Sequence, residues 1–316
     1  MRYNQLAALL YGGSLERAYM AADPLITNDF LRQKEDPNDR RKRALLLTAQ
    51  GARVIGVPAR TARIEAREFA ETLEDNDFYV RAVAAGVDRE DILTRQEALE
   101  ATRADKRYAR MSWGIKNERG VHYVYVRHDW VPKRLILDSL IYCGNKAVSH
   151  TVVCRTDKGL RFNLTWFMRQ SADTTPNIIT LDEVPSYVFW LNAQFSDTAR
   201  KVMEALTPGG RLEYTDSDCP VSLAWQHPTK GTMLLADLRV GDLHTLRGLK
   251  AHDFSRQPVT AFVTQENQAR RWAYWLGWPE KLWFVAYSGG PGCTLYRVSD
   301  NEVAVYKTVR LEEAAG

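Results

Sequence analysis

Val121-His122-Tyr123-Val124-Tyr125-Val126-Arg127 is the stretch on which the fold assignment turns. It consists almost wholly of β-branched and aromatic residues, the composition of a strand. The chain before it is different. Residues 1–112 are rich in Ala, Leu, Glu and Arg, are broken at Asp23-Pro24 and Asp36-Pro37, and read as helical. Ala62, Ala66, Phe69 and Leu73 recur at helix spacing, and Gly86-Val87-Asp88 reads as a helix stop followed by an N-cap. A second helix is expected over Arg89 to Arg107 with Ala98 inward.

After Trp113 the strand pattern recurs. Ala147–Arg155 and Gly159–Arg169 read as strands joined by a Lys158-Gly159 turn. A helix is expected over Ser196–Leu206, ended by Pro208-Gly209-Gly210, and another over Glu266–Leu276. Short strands are expected at Arg211–Thr215, Val221–Gln226, Thr232–Leu238, Pro258–Thr264 and Leu282–Tyr287, with a final pair around Ser299-Asp300-Asn301. The class is therefore α+β, with a helical region 1–112 and a mainly antiparallel β domain with a few helices over 113–316. No internal repeat is visible in the residues.

With 316 residues, 45% of them hydrophobic and 26% charged, the chain can bury a sizeable core, and wholesale disorder is excluded. No run approaches the ~18 apolar residues of a membrane span, and Met1-Arg2-Tyr3-Asn4-Gln5 does not open a signal peptide, so a cytoplasmic location and no membrane partner are expected. Cys143, Cys154, Cys219 and Cys293 lack any CxxC spacing, which argues against a zinc ribbon or a disulfide scaffold.

Charge is unevenly distributed. Residues 111–176 carry ten Lys and Arg against five carboxylates, whereas residues 1–110 are close to neutral and residues 177–316 are slightly acidic. All nine tryptophans lie after residue 112. Within the basic window, period-two alternation places Tyr123, Tyr125 and Arg127 on one strand face and Arg161, Phe167 and Arg169 on another. One sheet presenting both faces would be a platform for unpaired bases, with rings stacking and cations following phosphates. Trp113 is a further stacking candidate. Lys106, Arg107, Arg110, Lys116, Arg119, Lys133 and Arg134 flank the same region as its rim.

Gly51-Ala52-Arg53-Val54-Ile55-Gly56-Val57-Pro58-Ala59-Arg60-Thr61-Ala62-Arg63 resembles a DNA-binding helix-turn-helix, with Ala52 and Gly56 at its small-residue and turn positions. Over 49–69 the resemblance implies a second helix presenting Arg60, Arg63 and Arg67 to a major groove. Arg41 and Lys42, in the run Asp39–Arg43, would add phosphate contacts. Glu65 departs from the motif's apolar position.

A P-loop, a GxGxxG fingerprint, HExxH and GxSxG are all missing. Gly289-Gly290-Pro291-Gly292 reads as a turn. Cys143, His150 and Cys154 are too loosely spaced for a zinc site, and Glu213 with Asp216-Ser217-Asp218 reads as a turn before it reads as a cation site. No catalytic residue, metal or cofactor is assigned. The expectation is a non-enzymatic DNA-binding protein that favours single strands with little sequence specificity. It would be an accessory of replication or transcription machinery, with a texture that suits a phage-encoded factor. The alternatives are a helix-turn-helix regulator of duplex DNA, a metal-dependent nuclease built on Glu302 and Lys307, and a protein-binding adaptor using the tryptophan-rich C-terminal part.

Overall fold

The computed structural model describes residues 1–36, 39–56, 66–127, 133–170, 175–215 and 221–311, with the side chains of 39–41 and 66–68 left aside. The N-terminal region holds α1 (Tyr3–Leu10), α2 (Leu15–Thr27), α3 (Ala49–Val54) and α4 (Ala66–Ala84). It is not helical throughout. β1 (Leu31–Asp36) and β2 (Asp39–Leu47) form an antiparallel hairpin within it. The reason is a two-sided burial that only a strand supplies. Leu45 packs into a cluster with Tyr3, Ala7, Ala18 and Ala22, while its neighbours Ala44 and Leu46 face Phe69 and Leu73 of α4. Gly86, at φ +98°, ends the segment after α4 as its sequence suggests.

The rest of the chain is α+β, with antiparallel strand pairs outnumbering parallel ones among the described residues. It contains two units of the same topology. In the first, β3 (Ile92–Thr94), β4 (Trp113–Asn117) and β5 (Gly120–Val126) form an antiparallel meander; α5 (Arg95–Thr102) lies between β3 and β4. Two parallel crossovers follow, through α6 (Lys133–Cys143) to β6 (Ser149–Cys154) and through α7 (Asp157–Met168) to β7 (Asn177–Thr180). α8 (Val184–Asn192) and α9 (Phe195–Leu206) then lead to the second unit. There β8 (Arg211–Tyr214), β9 (Leu223–His227) and β10 (Gly231–Asp237) repeat the meander. α10 (Leu243–Ala251), β11 (Val259–Val263), α11 (Glu266–Leu276) and β12 (Leu282–Ala286) repeat the two crossovers. The hairpin β13 (Gly292–Ser299) and β14 (Glu302–Arg310) extends only the second sheet. The sheet orders are β3-β4-β5-β6-β7 and β14-β13-β12-β11-β10-β9-β8, so β3 to β7 correspond one to one with β8 to β12.

Sequence resemblance between the units is faint: Asp157, Arg161 and Trp166 of α7 match Glu266, Arg270 and Trp275 of α11 in helical position. A repeat held by burial pattern and three surface residues leaves almost no trace in the sequence.

Strand alternation builds three layers. Tyr123, Tyr125, Val152 and Ile178 of the first sheet, with Leu234, Ala236, Val259, Ala261 and Phe284 of the second, face one core shared with α6, α7, α10 and α11. Their neighbours face the other way: Val124, Val153 and Ile179 meet α4 and α8, and Leu235, Phe262 and Val285 meet α9. α5, α6, α7, α10 and α11 thus cover one side of the sheets, and α4, α8 and α9 cover the other.

The units meet at β7. The Ile178 backbone N–H donates to the Val240 carbonyl at 3.1 Å, so the loop after β10 closes the outer edge of the first sheet. Gly241 sits there at φ +58°, and a Cβ on it would come within 2.7 Å of both the Ile178 oxygen and the Trp272 ring. Behind this contact Arg271 of α11 donates to Asp157 at 2.6 Å and to Glu183 at 2.7 Å. Arg271 and Glu183 are both buried, so each neutralises a charge the other cannot hold alone in that place.

Replacing Arg271 by Met is expected to destabilise the fold by about 3–5 kcal/mol in denaturant unfolding, because Glu183 is left buried without its partner. Adding Glu183→Gln should recover part of that loss. Additive losses in the double variant would show that the pair is not what joins the units.

Candidate nucleic-acid interface

The strand expected at Gly159–Arg169 is the helix α7, which Thr156 caps by accepting from the Gly159 N–H at 3.1 Å. This change of period reverses which side chains face out. Leu160, Asn163, Leu164 and Phe167 are buried at helix spacing, whereas Phe162 stands 68% exposed and Trp166 is half-buried. Phe167, a stacking candidate on the strand reading, lies in the core. Tyr123 and Tyr125 lie there too, fully enclosed under α5, α6 and α7. Tyr123 is hydrogen-bonded to Thr102, and Tyr125 to Ser139 and His150. No base can stack on these three rings without opening the core, so the strand platform is corrected. Trp113 is half-buried, donates its indole N–H to the Asp75 carbonyl at 3.0 Å and packs on Tyr79. It belongs to the contact with α4.

The basic and aromatic chemistry has moved to the helices. On one side of the sheets, α6, α7, α10 and α11 carry Lys133, Arg134, Lys158, Arg161, Arg247, Lys250 and Arg270 against Asp138, Asp157 and Glu266, while α5 carries Arg95 against Glu97 and Glu100 and Arg271 is buried in the seam between the units. On the opposite side, α4, α8 and α9 carry Arg81, Arg200 and Lys201 against Glu71, Glu74, Asp75, Asp77, Asp197 and Glu204, but Glu74 pairs with Arg155 and Asp77 with Arg2, and α1 and the β1–β2 hairpin pack against α4. Cations thus outnumber carboxylates on α6, α7, α10 and α11, whereas carboxylates outnumber cations on α4.

Rings accompany the cations on the basic side. Lys133 Nζ lies 3.3 Å from the centre of the Phe162 ring, Arg161 lies 5.4 Å from that of Tyr274, and Lys250 lies 4.1 Å from that of Trp275. Tyr274 is 60% exposed. At the far end of α6, Tyr142 stacks on Tyr108 at 4.1 Å, with Arg107 over the latter ring. Between α7 and α11 a cleft of about 510 Å³ is lined by Arg161, Arg270, Tyr274 and Trp278 together with Asp157 and Asp182.

Of the residues singled out in the sequence, Lys133, Arg134, Arg161 and Arg169 are brought together on this side. Lys106, Arg107 and Arg110 lie beside the end of α6, where the Arg110 N–H donates to Ser139. Arg127 is partly buried and donates to Asn163. Lys116 and Arg119 do not join them; they line a separate cleft of about 1050 Å³ at the β4–β5 turn, with Asp88 and Asp91. Lys42 is exposed on β2, and Arg41 belongs to the same strand. Within 49–69, α3 ends before Gly56, which takes φ +72° as the turn requires. Arg60 and Arg63 lie outside the described residues, and Arg67 is placed only as backbone in the first turn of α4. Asp216, Ser217, Asp218 and Cys219 also lie outside them. Strand alternation turns Phe162 toward the core, which its exposure contradicts, and Tyr274 and Lys250 carry no strand or motif signal for binding. Helix-period spacing around Leu160, Leu164 and Phe167 was the available signal for the first.

His122 and His150 are enclosed near the start of β6. His122 bonds Ser149 and Asn117, and His150 bonds Tyr125 and the Gly144 carbonyl. Burial pushes both imidazoles down to about 4, helped at His122 by the charge of Arg119. Burial likewise raises the Cys154 thiol to about 12, which disfavours the thiolate a metal would need. Among the described residues no group of three or more His, Cys, Asp or Glu is placed to hold a metal ion, and no helix is long and apolar enough to cross a membrane. Comparison with protein-family models, curated proteins and solved structures finds no match.

Two measurements test this placement. Phe167→Ala should cost about 3–5 kcal/mol of stability and Phe162→Ala less than about 0.5 kcal/mol, measured by denaturant unfolding. Equal losses would contradict the helical register of α7. The two histidines bind protons more readily unfolded than folded, so their stabilisation is complete above about pH 6.5 and is lost as pH falls toward 4. Melting temperature should therefore fall across that window; a flat profile there would show that the imidazoles are solvated.

Proposed function

We propose that the protein binds nucleic acid, single-stranded DNA in preference, along the solvent side of α6, α7, α10 and α11. The observation that carries the proposal is the pairing of the exposed rings of Phe162 and Tyr274 and the half-buried Trp275 with cations on α6, α7, α10 and α11, where cations outnumber carboxylates. Cations neutralise successive phosphates and release their counterions, which gives affinity without sequence readout. Rings beside them accept the faces of unpaired bases, each stack contributing about 1–3 kcal/mol whatever the base. A stacked duplex does not offer those faces, which is why the rings favour a single strand. Contact of this kind performs no chemistry on the strand, in keeping with an accessory of replication or transcription.

Gel-shift titration with a labelled oligonucleotide tests the assignment. Phe162→Ala with Tyr274→Ala should weaken single-strand binding by on the order of tenfold or more while leaving the fold intact. Lys133→Ala with Arg134→Ala should weaken it and flatten its salt dependence. Charge removal at Glu71 and Asp77 on α4 should not weaken it. Preference for duplex over single strands, or no binding at low salt, would overturn the proposal.

A further inference from the structure

A second site lies away from the basic layer, where the start of β6 faces the loop after β10. Here a cavity of about 410 Å³ is lined by Ser149, His122, Arg119, Trp190 and Asp237, among others. Two of its polar side chains, Ser149 and His122, stand in a chain with Asn117 behind them. The His122 Nδ1 atom lies 2.8 Å from the Ser149 hydroxyl oxygen, and its Nε2 atom lies 3.1 Å from the Asn117 side-chain oxygen.

The direction of the hydrogen bonds follows from the Asn117 end. Its amide nitrogen donates to the Leu191 carbonyl at 3.1 Å, and its amide oxygen accepts the Arg119 backbone N–H at 2.9 Å. The oxygen therefore faces His122 and only accepts, so Nε2 carries the imidazole proton. Nδ1 is left with a lone pair, and the Ser149 hydroxyl donates to it. This is the tautomer that a general base needs, held by an orienting third group, and the hydroxyl it polarises belongs to a half-buried residue on the cavity wall.

We propose that Ser149, His122 and Asn117 form a nucleophile–base–orienter site able to cleave small acyl esters, an activity separate from nucleic-acid binding. Ser149 Oγ attacks the acyl carbon while its proton passes to His122 Nδ1. The carbon–oxygen bond to the alcohol then breaks, and the departing oxygen takes that proton. Water repeats the sequence: it loses a proton to Nδ1, its oxygen bonds the acyl carbon, and Ser149 Oγ leaves and recovers the proton. Ester and water give acid and alcohol, with no other reactant. Arg119 lines the same cavity, its guanidinium donating to the Leu191 carbonyl at 2.9 Å. The cavity admits only a compact substrate.

The full chain is treated at neutral pH with a fluorophosphonate, whose fluoride a polarised serine displaces, and the modified residue is located by peptide mass spectrometry. Labelling is expected at Ser149, absent in Ser149→Ala, and slowed by on the order of a hundredfold in His122→Gln. p-Nitrophenyl acetate hydrolysis should fall in parallel, while single-strand binding is retained. Ser149→Cys provides a check independent of the alanine variant: iodoacetamide should alkylate it faster than the buried Cys143, Cys154 and Cys293. Absence of labelling at Ser149 in the folded chain, or a rate indifferent to His122→Gln, would overturn the proposal and leave the three residues as a hydrogen-bonded support for β5.

Discussion

Arg271 is the residue on which the arrangement of the two units depends. Its guanidinium cannot lose its proton and lies buried, so carboxylates must meet it wherever the fold places it. Those carboxylates come from the other unit: Asp157 at the start of α7 and Glu183 just after β7. Glu183 is itself tied to Thr180, through the backbone N–H and the hydroxyl. One ion cluster therefore fixes α11 against the carboxyl ends of β6 and β7. With that fixed, the Val240 carbonyl meets the Ile178 N–H and the edge of β7 is closed.

This seam has a consequence for charge. Because the units lie side by side with their crossover helices on one side of the sheets, the cations of α10 and α11 are added to those of α6 and α7. The last 140 residues are slightly acidic as a segment, yet α10 and α11 contribute their cations to the basic layer. Charge sorted by helix layer and charge sorted by chain position are different quantities, and a polyanion meets only the first. The site at Ser149 arises at the same seam, since its walls come from β5, β6, α8 and the loop after β10.

Much of the architecture was legible in the residues. The strands near Val121, Pro258 and Leu282, the helix Glu266–Leu276, the stop at Gly86 and the final turn at Asp300-Asn301 stand where composition and period place them. Two errors share one cause. In Gly159–Arg169 apolar and polar residues satisfy period two and the helical period equally well over so short a window. Leu31–Leu47 is charged along most of its length, and its strand character comes from helices on both faces of Ala44-Leu45-Leu46. Neither ambiguity is resolved locally; each is settled by which surface is available to bury the apolar side chains.

The sequence by itself determined the α+β class, the concentration of positive charge in residues 111–176 and the interleaving of cations with rings. Composition and local propensity depend on nothing farther away than a few residues. Only the tertiary structure decided which rings face solvent, that the topology is repeated, that Phe162 and Tyr274 lie on one side with Lys133 and Arg161, and that Ser149 meets His122 and Asn117. Exposure and proximity are properties of packing: Tyr123 and Tyr125 are as aromatic as Tyr274, but two crossover helices cover them and none covers it.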